Sequence, residues 1–160
     1  KYRNGDPIPT GLSDNQWKTL TNGAFAIYDN NESNNTTYGK LYNGYAVVDT
    51  RNLCPIGWHV PSNGEWNTLL NFLGGSTVAG GKLKSVTGWE SPNTGATNES
   101  GFSGLPGGTR TIEGAYLYIG KISGWWSSDT TAVILNKDDT NILNLPIFKR
   151  TGTSVRCLKD

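Results

Sequence analysis

His59 is the only histidine of the chain and stands between Trp58 and Val60-Pro61. A histidine acts as a general base when a hydroxyl or thiol nucleophile and an orienting carboxylate lie within its reach. No spacing around His59 supplies that set, so it reads first as a packed, hydrogen-bonded residue and second as a catalyst. The 13 Asp and Glu residues offer many pairs. Glycosidase chemistry needs two carboxylates facing one cleft, and no motif places such a pair. Cys54 and Cys157 are the only cysteines, too distant for a CxxC redox pair and too few for a structural zinc site. A disulfide is the leading reading; it would close a loop of about 100 residues and stabilise the fold by up to about 4.7 kcal/mol in the chain-entropy model. Two buried thiols are the alternative. No catalytic residue and no metal ligand is nominated, and the chain is expected not to be an enzyme.

The elements that must position these residues belong to a chain of 160 residues, the size of one domain spanning 1–160. Only 35% of residues are hydrophobic and 17% charged, while 21 Gly and 17 Asn point to a loop-rich α+β architecture. Six Trp and seven Tyr supply enough burial to argue against disorder. A net charge of +1 without a basic run removes the electrostatic footprint of a nucleic-acid binder. No apolar stretch is long enough to span or insert into a bilayer. The chain contains no Met, so it is expected to be part of a larger polypeptide or surface assembly.

Ser13-Asp14-Asn15-Gln16-Trp17 offers cap residues and then Trp17 and Leu20 three apart, a short helix. Residues 24–28 have strand content, 29–37 read as a surface loop, and 38–48 as a strand or extended element. Residues 1–37 are expected to pack on the rest as an N-terminal extension. Ser62-Asn63-Gly64-Glu65 is a capping box. Trp66, Leu69, Leu70 and Leu73 then form one apolar stripe, and Gly74-Gly75 a stop, so 63–73 is a helix. Beyond Lys84 short apolar pieces are cut by Gly, Pro, Ser and Asn, with final strands at 132–135 and 154–158. One or two helices followed by a loop-rich antiparallel sheet is the expected fold.

Several phrases occur in order: Cys54-Pro55-Ile56-Gly57-Trp58-His59-Val60-Pro61-Ser62, Thr97-Asn98-Glu99-Ser100-Gly101-Phe102, Leu105-Pro106-Gly107-Gly108, Trp125-Trp126-Ser127-Ser128 and Ser154-Val155-Arg156-Cys157. Together they resemble the Fibrobacter succinogenes major paralogous domain, a bacterial surface-protein family. The resemblance covers nearly the whole chain and implies a C-type-lectin-like fold, related in shape to formylglycine-generating enzymes. In such folds the first and last cysteines join the helical half to the terminal strand, in agreement with a Cys54–Cys157 pair. Those enzymes use closely spaced cysteines near the carboxyl end, where this chain has only Cys157, so their activity does not carry over. Thr109 and Thr153 stand where members commonly have aromatic residues. Some lectin-fold domains resemble the variable proteins of diversity-generating retroelements, in which Asn codons near the carboxyl end are randomised and Glu, Lys, Trp, Met and Gln cannot arise. Between Thr109 and Thr153 those types are confined to Glu113, Lys121, Trp125, Trp126, Lys137 and Lys149.

The segment 109–153 carries more aliphatic residues than a core needs, and an exposed apolar surface marks a binding site. The expected contacts are Thr109, Thr111, Ile112, Ala115, Leu117, Tyr118, Ile122, Ser123, Asp129, Thr130, Thr131, Asp139, Asn141, Leu143, Leu145, Ile147 and Phe148. They would bury apolar surface rimmed by hydroxyls and amides against a protein or glycan ligand on another cell or surface. No cofactor is expected. Calcium is the alternative, because Glu90-Ser91-Pro92-Asn93 resembles the Glu-Pro-Asn sugar-binding triplet of calcium lectins, interrupted here by Ser91. The expected function is a non-catalytic, adhesin-type recognition domain at the bacterial cell surface or outside the cell. A carbohydrate-acting enzyme or accessory module using His59, and a structural spacer, are the other readings.

Overall fold

The computed structural model describes residues 1–160. It is an α+β structure of five short helices and ten short strands, where the sequence leads one to expect one or two helices. α1 (Asp14–Trp17) opens with a capping box in which Ser13 accepts the Gln16 amide and Gln16 reaches back to Ser13. β1 (Phe25–Ala26) and a 3-10 turn (Tyr28–Asn30) lead into α2 (Glu32–Tyr38), so the expected loop over 29–37 is largely helical. Asn31 caps α2 through the Ser33 amide, and the helix buries no side chain, which is why it leaves no apolar period to read. The 38–48 segment divides into β2 (Leu41–Asn43) and α3 (Gly44–Val47). Asn43, fully buried, accepts from the Ala24 and Ala46 amides at 3.0 Å each and donates to Asn22 O.

β3 (Trp58–His59) precedes α4 (Asn63–Phe72), where the Ser62–Glu65 capping box forms and Trp66, Leu70 and Leu73 are buried as the stripe requires. α5 (Ser76–Leu83) has no counterpart in the expected elements. Its Gly80 and Gly81 let loop backbone approach closely: a Cβ on Gly80 would stand 2.5 Å from Thr140 O, and one on Gly81 would meet Gly95 O. Two central glycines lower helix propensity, so the feature that seats the helix also hides it.

The remaining strands are β4 (Thr109–Arg110), β5 (Tyr116–Leu117), β6 (Ile122–Trp126), β7 (Thr131–Asn136), β8 (Leu143–Pro146), β9 (Gly152–Thr153) and β10 (Leu158–Lys159). The strand expected at 132–135 lies within β7. That expected at 154–158 does not form as one strand: β9 ends before it, β10 begins at its last residue, and the two belong to different sheets. One sheet runs β1-β2-β9-β4-β5, a second pairs β10 with β3, and a third runs β6-β7-β8. The largest core cluster packs Trp66 and Leu70 of α4, its C-cap Leu73, and Ala79 and Leu83 of α5 against Trp125, Val133, Leu135 and Ile142. Trp126 joins Val47, Cys54 and Val60 in a second cluster, and Trp17 joins Ala24 and Ala26 in a third.

Two buried cations hold the loops. Lys84 is 0% exposed, and its ammonium donates to Thr94 O at 2.8 Å, Asn136 O at 3.0 Å and Asp139 O at 2.8 Å. Arg110 stacks 4.4 Å from the Trp17 ring and 4.8 Å from the Tyr116 ring while donating to Gly114 O, Leu12 O and Asp14 Oδ1. Arg156 braces its loop by donating to Phe102 O at 2.6 Å, without an ion pair. Cys54 and Cys157 are joined in a disulfide across a separation of 103 residues, with Cα atoms 5.8 Å apart.

Replacing both cysteines by Ser should lower the unfolding free energy by about 2–5 kcal/mol in denaturant titration. Lys84→Met leaves three carbonyls without their donor and should cost about 3 kcal/mol, read as a fall in the urea midpoint at unchanged slope.

Candidate functional site

β6, β7 and β8 pair antiparallel, with Gly124 opposite Ile134 and Ile134 opposite Leu143. Alternation along a strand sends Val133, Leu135 and Trp125 into the core, so Ile134, Gly124 and Ile122 face the other side. A cavity of about 300 Å³ opens on that side, lined by Thr109, Tyr118, Ile122, Gly124, Ala132, Ile134, Leu143, Ile147, Thr151 and Thr153. Two of its three threonine hydroxyls are spent within the chain: Thr109 Oγ1 donates to Gly152 O at 2.8 Å and Thr153 Oγ1 to Gly124 O at 2.6 Å. The wall therefore offers branched aliphatic surface and few free polar groups. Tyr118 is 50% exposed and holds a left-handed φ of 68°, uncommon for a bulky residue. Its carbonyl accepts both the Lys121 and Ile122 amides, and that turn fixes the ring at the rim.

Of the expected contacts, Thr109, Tyr118, Ile122, Leu143 and Ile147 come together in this cavity. Leu117 lies beside it with Tyr118, Ile119 and Lys121. Leu145 on β8 and Phe148 beyond it are exposed, Phe148 by 75%. Ser123 is a correction: it is 0% exposed and points to the core side of β6, out of reach of a ligand. Thr111, Ile112 and Ala115 sit in the β4–β5 turn, where the Thr111 amide donates to Ala115 O. Asp129 accepts the Asn63 amide at 2.6 Å at the start of α4, and Thr130 and Thr131 complete the β6–β7 turn, Thr131 with its hydroxyl 2.7 Å from that of Ser127. Asp139 gives its carbonyl to Lys84 and its carboxylate to the Asn141 amide. These last eight lie in turns and at strand ends, apart from the cavity. Gly124, Ala132, Ile134, Thr151 and Thr153 are the lining residues absent from the expected set. The period of two through Val133 and Leu135 was the signal that could have found Ile134.

The model of the Fibrobacter succinogenes major domain family matches residues 1–159. The chain belongs to this family. It matches no curated protein and no solved structure.

In this Fibrobacter succinogenes major domain both Trp125 and Trp126 are buried, 5% and 0% exposed, so neither ring is free to stack on a ligand. The Glu90–Asn93 segment does not assemble as a cation cradle. Glu90 faces Lys121 at 3.8 Å, the Asn93 amide donates to Ser85 O, and the carbonyls that converge nearby hold the Lys84 ammonium. Asn98 exchanges hydrogen bonds with Ser103, and Glu99 lies 3.5 Å from Lys82. No three His, Cys, Asp or Glu side chains gather into a metal-binding group.

His59 has both ring nitrogens engaged by carboxylates, Nδ1 with Asp160 at 2.6 Å and Nε2 with Glu65 at 3.0 Å. No hydroxyl or thiol hydrogen-bonds to it, so it ties β3 to the start of α4 and to the residue after β10. Asp160 first and Glu65 second hold the His59 pKa above its ordinary value, and the Ser62 amide, the Ser62 hydroxyl and His59 hold that of Glu65 below its own. A raised histidine pKa contributes stability that is complete below the unfolded value of about 6.5 and is lost as pH rises through the folded value. The stability difference between the wild type and His59→Gln should therefore be largest in mildly acid solution and vanish toward alkaline pH, with the His59 ring protons titrating above 6.5 by NMR.

Proposed function

We propose that this domain is a non-catalytic recognition module of C-type-lectin-like fold, carried by a bacterial surface or secreted protein, and that it binds a protein ligand through the outward face of β6-β7-β8. The observation that carries the reading is the aliphatic cavity whose rim bears Tyr118, Leu143 and, nearby, the exposed Phe148. A sugar is recognised chiefly through hydroxyl hydrogen bonds, and the wall has few polar groups left to make them. An apolar side chain of a protein partner fits such a wall, with one or two aromatic or aliphatic anchors dominating the energy.

Three features support the lectin-like fold. The early strands β1 and β2 share a sheet with the late strand β9. The disulfide ties the segment before β3 to the end of the chain. The region between β4 and β9 forms an excursion carrying the cavity. The disulfide fits an oxidising, non-cytoplasmic setting, and no helix is long and apolar enough to cross a membrane. His59, clamped by two carboxylates and without a nucleophile, favours the non-catalytic reading.

The test selects displayed random peptides on the wild-type domain and measures their binding to Tyr118→Asn and Leu143→Ser. Asn tolerates the left-handed backbone at 118, so the fold should be kept. Each variant is expected to weaken binding about tenfold or more while the thermal midpoint stays near that of the wild type. Ligands that bind both variants as they bind the wild type would remove the cavity from the function.

A further inference from the structure

A second concavity, of about 350 Å³, lies between the end of α2, the 103–105 loop and the 154–156 segment. Its chemistry is opposite to that of the apolar cavity. Lys40 and Arg156 both line it, neither forms an ion pair, and none of the lining residues carries a carboxylate. The nearest acid on α2, Glu32, already accepts from Asn35 Nδ2 at 3.0 Å. The Arg156 guanidinium lies 4.2 Å from the Phe102 ring centre, with Nη1 committed to Phe102 O and its other nitrogens free.

Three hydroxyls that meet no partner in the chain line the same cleft. Ser154 is 92% buried (8% exposed) and its Oγ makes no hydrogen bond. Tyr38 and Tyr42 likewise leave their phenols unbonded, and burial pushes the Tyr42 pKa up, so it stays a protonated donor. None of the three oxygens is sealed from solvent, so all three are donors open to the cleft. Three idle donors beside two cations without counter-ions describe a site built for an acceptor-rich anion. A guanidinium in fixed orientation matches the two oxygens of a carboxylate, sulfate or phosphate group. The volume suits a molecule the size of one sugar, with Leu105 as apolar floor.

We propose that this cleft binds a sugar-sized organic oxyanion, its charged group held between Lys40 and Arg156 and its remaining oxygens by Ser154, Tyr38 and Tyr42. The site is separate from the protein-binding face. The two are chemically distinct although Gly124 and Trp125, and Thr153 and Ser154, contribute to one each.

Glucuronate, glucose 6-sulfate and glucose 6-phosphate are titrated into the full chain and followed by amide chemical shifts, with glucose as the neutral control. At least one anion is expected to produce saturable, millimolar shifts at residues 38–42 and 154–156 that weaken with added salt, and the tightest of the three names the charged group. Lys40→Gln, half-buried in the link between α2 and β2, should weaken that binding about tenfold, and Tyr118→Asn should leave it unchanged. Arg156→Gln is the second variant, read only after its fold has been checked. No saturable shift with any anion, equal shifts with glucose, or wild-type affinity in both Lys40→Gln and Arg156→Gln would overturn the proposal.

Discussion

An ammonium group withdrawn from water sets the terms for the loop-rich half of this domain. Burial alone pushes the Lys84 pKa down, and Asp139 and Asp138 pull it back toward the charged form. A charge in that position is tolerable only if carbonyl dipoles replace its hydration. The three carbonyls that do so come from the loop after α5, the end of β7 and the turn before β8. Lys84 thus ties together segments that share no strand ladder. Its position follows from α5, whose glycines let the helix sit directly on loop backbone and deliver residue 84 to the convergence point.

The same economy runs through the rest of the fold. Of 79 backbone hydrogen bonds, 49 lie outside regular helix and strand pairing, so most of the cohesion of the backbone is in turns that no hydrophobic period announces. Buried polar side chains close them: Asn43 serves two amides and a carbonyl, Trp126 Nε1 reaches Tyr42 O at 2.7 Å, and Arg110 satisfies three acceptors between two aromatic rings. A composition rich in Asn and Gly and poor in aliphatics is what such a construction requires, since Asn reaches backbone groups and Gly admits tight turns.

What was legible in the sequence followed from local chemistry. The Ser62–Glu65 box and the stripe Trp66, Leu70, Leu73 specify α4 because capping and burial both act within one helix. The Cys54–Cys157 bond was readable because two cysteines leave a single pairing. Helix α5 was hidden by its glycines, and α2 by its lack of a buried face. The strand expected over 154–158 failed because Ser154 bridges to Trp125 while Leu158 pairs with His59, a division set by tertiary packing. At the cavity, chain position pointed to the segment that lines it but not to the subset of residues that form its wall. Ser123 and Ile134 lie on neighbouring strands, and only the direction of the pleat separates the buried hydroxyl from the cavity wall.

That pleat has a consequence for how the domain can change. Along β6 and β7 each core-facing residue, Trp125, Val133 and Leu135, is locked in the main cluster by α4 and α5. The residues between them hold their strand through backbone pairing, and their side chains meet a cavity. Substituting Ile122 or Ile134 on that open side removes less packing than substituting Val133, because an unfilled cavity already stands beside it. The cationic cleft lacks this freedom. Tyr42 is tied to Trp126 through its carbonyl, and Ser154 through its carbonyl to the Trp126 amide, so residues there answer to the second core cluster as well as to a ligand. The proposed binding face, open to replacement, and the proposed anion cleft, anchored in the scaffold, therefore adjoin along β6 and residues 153–154. As proposed, the first suits diverging partners and the second a ligand of constant chemistry.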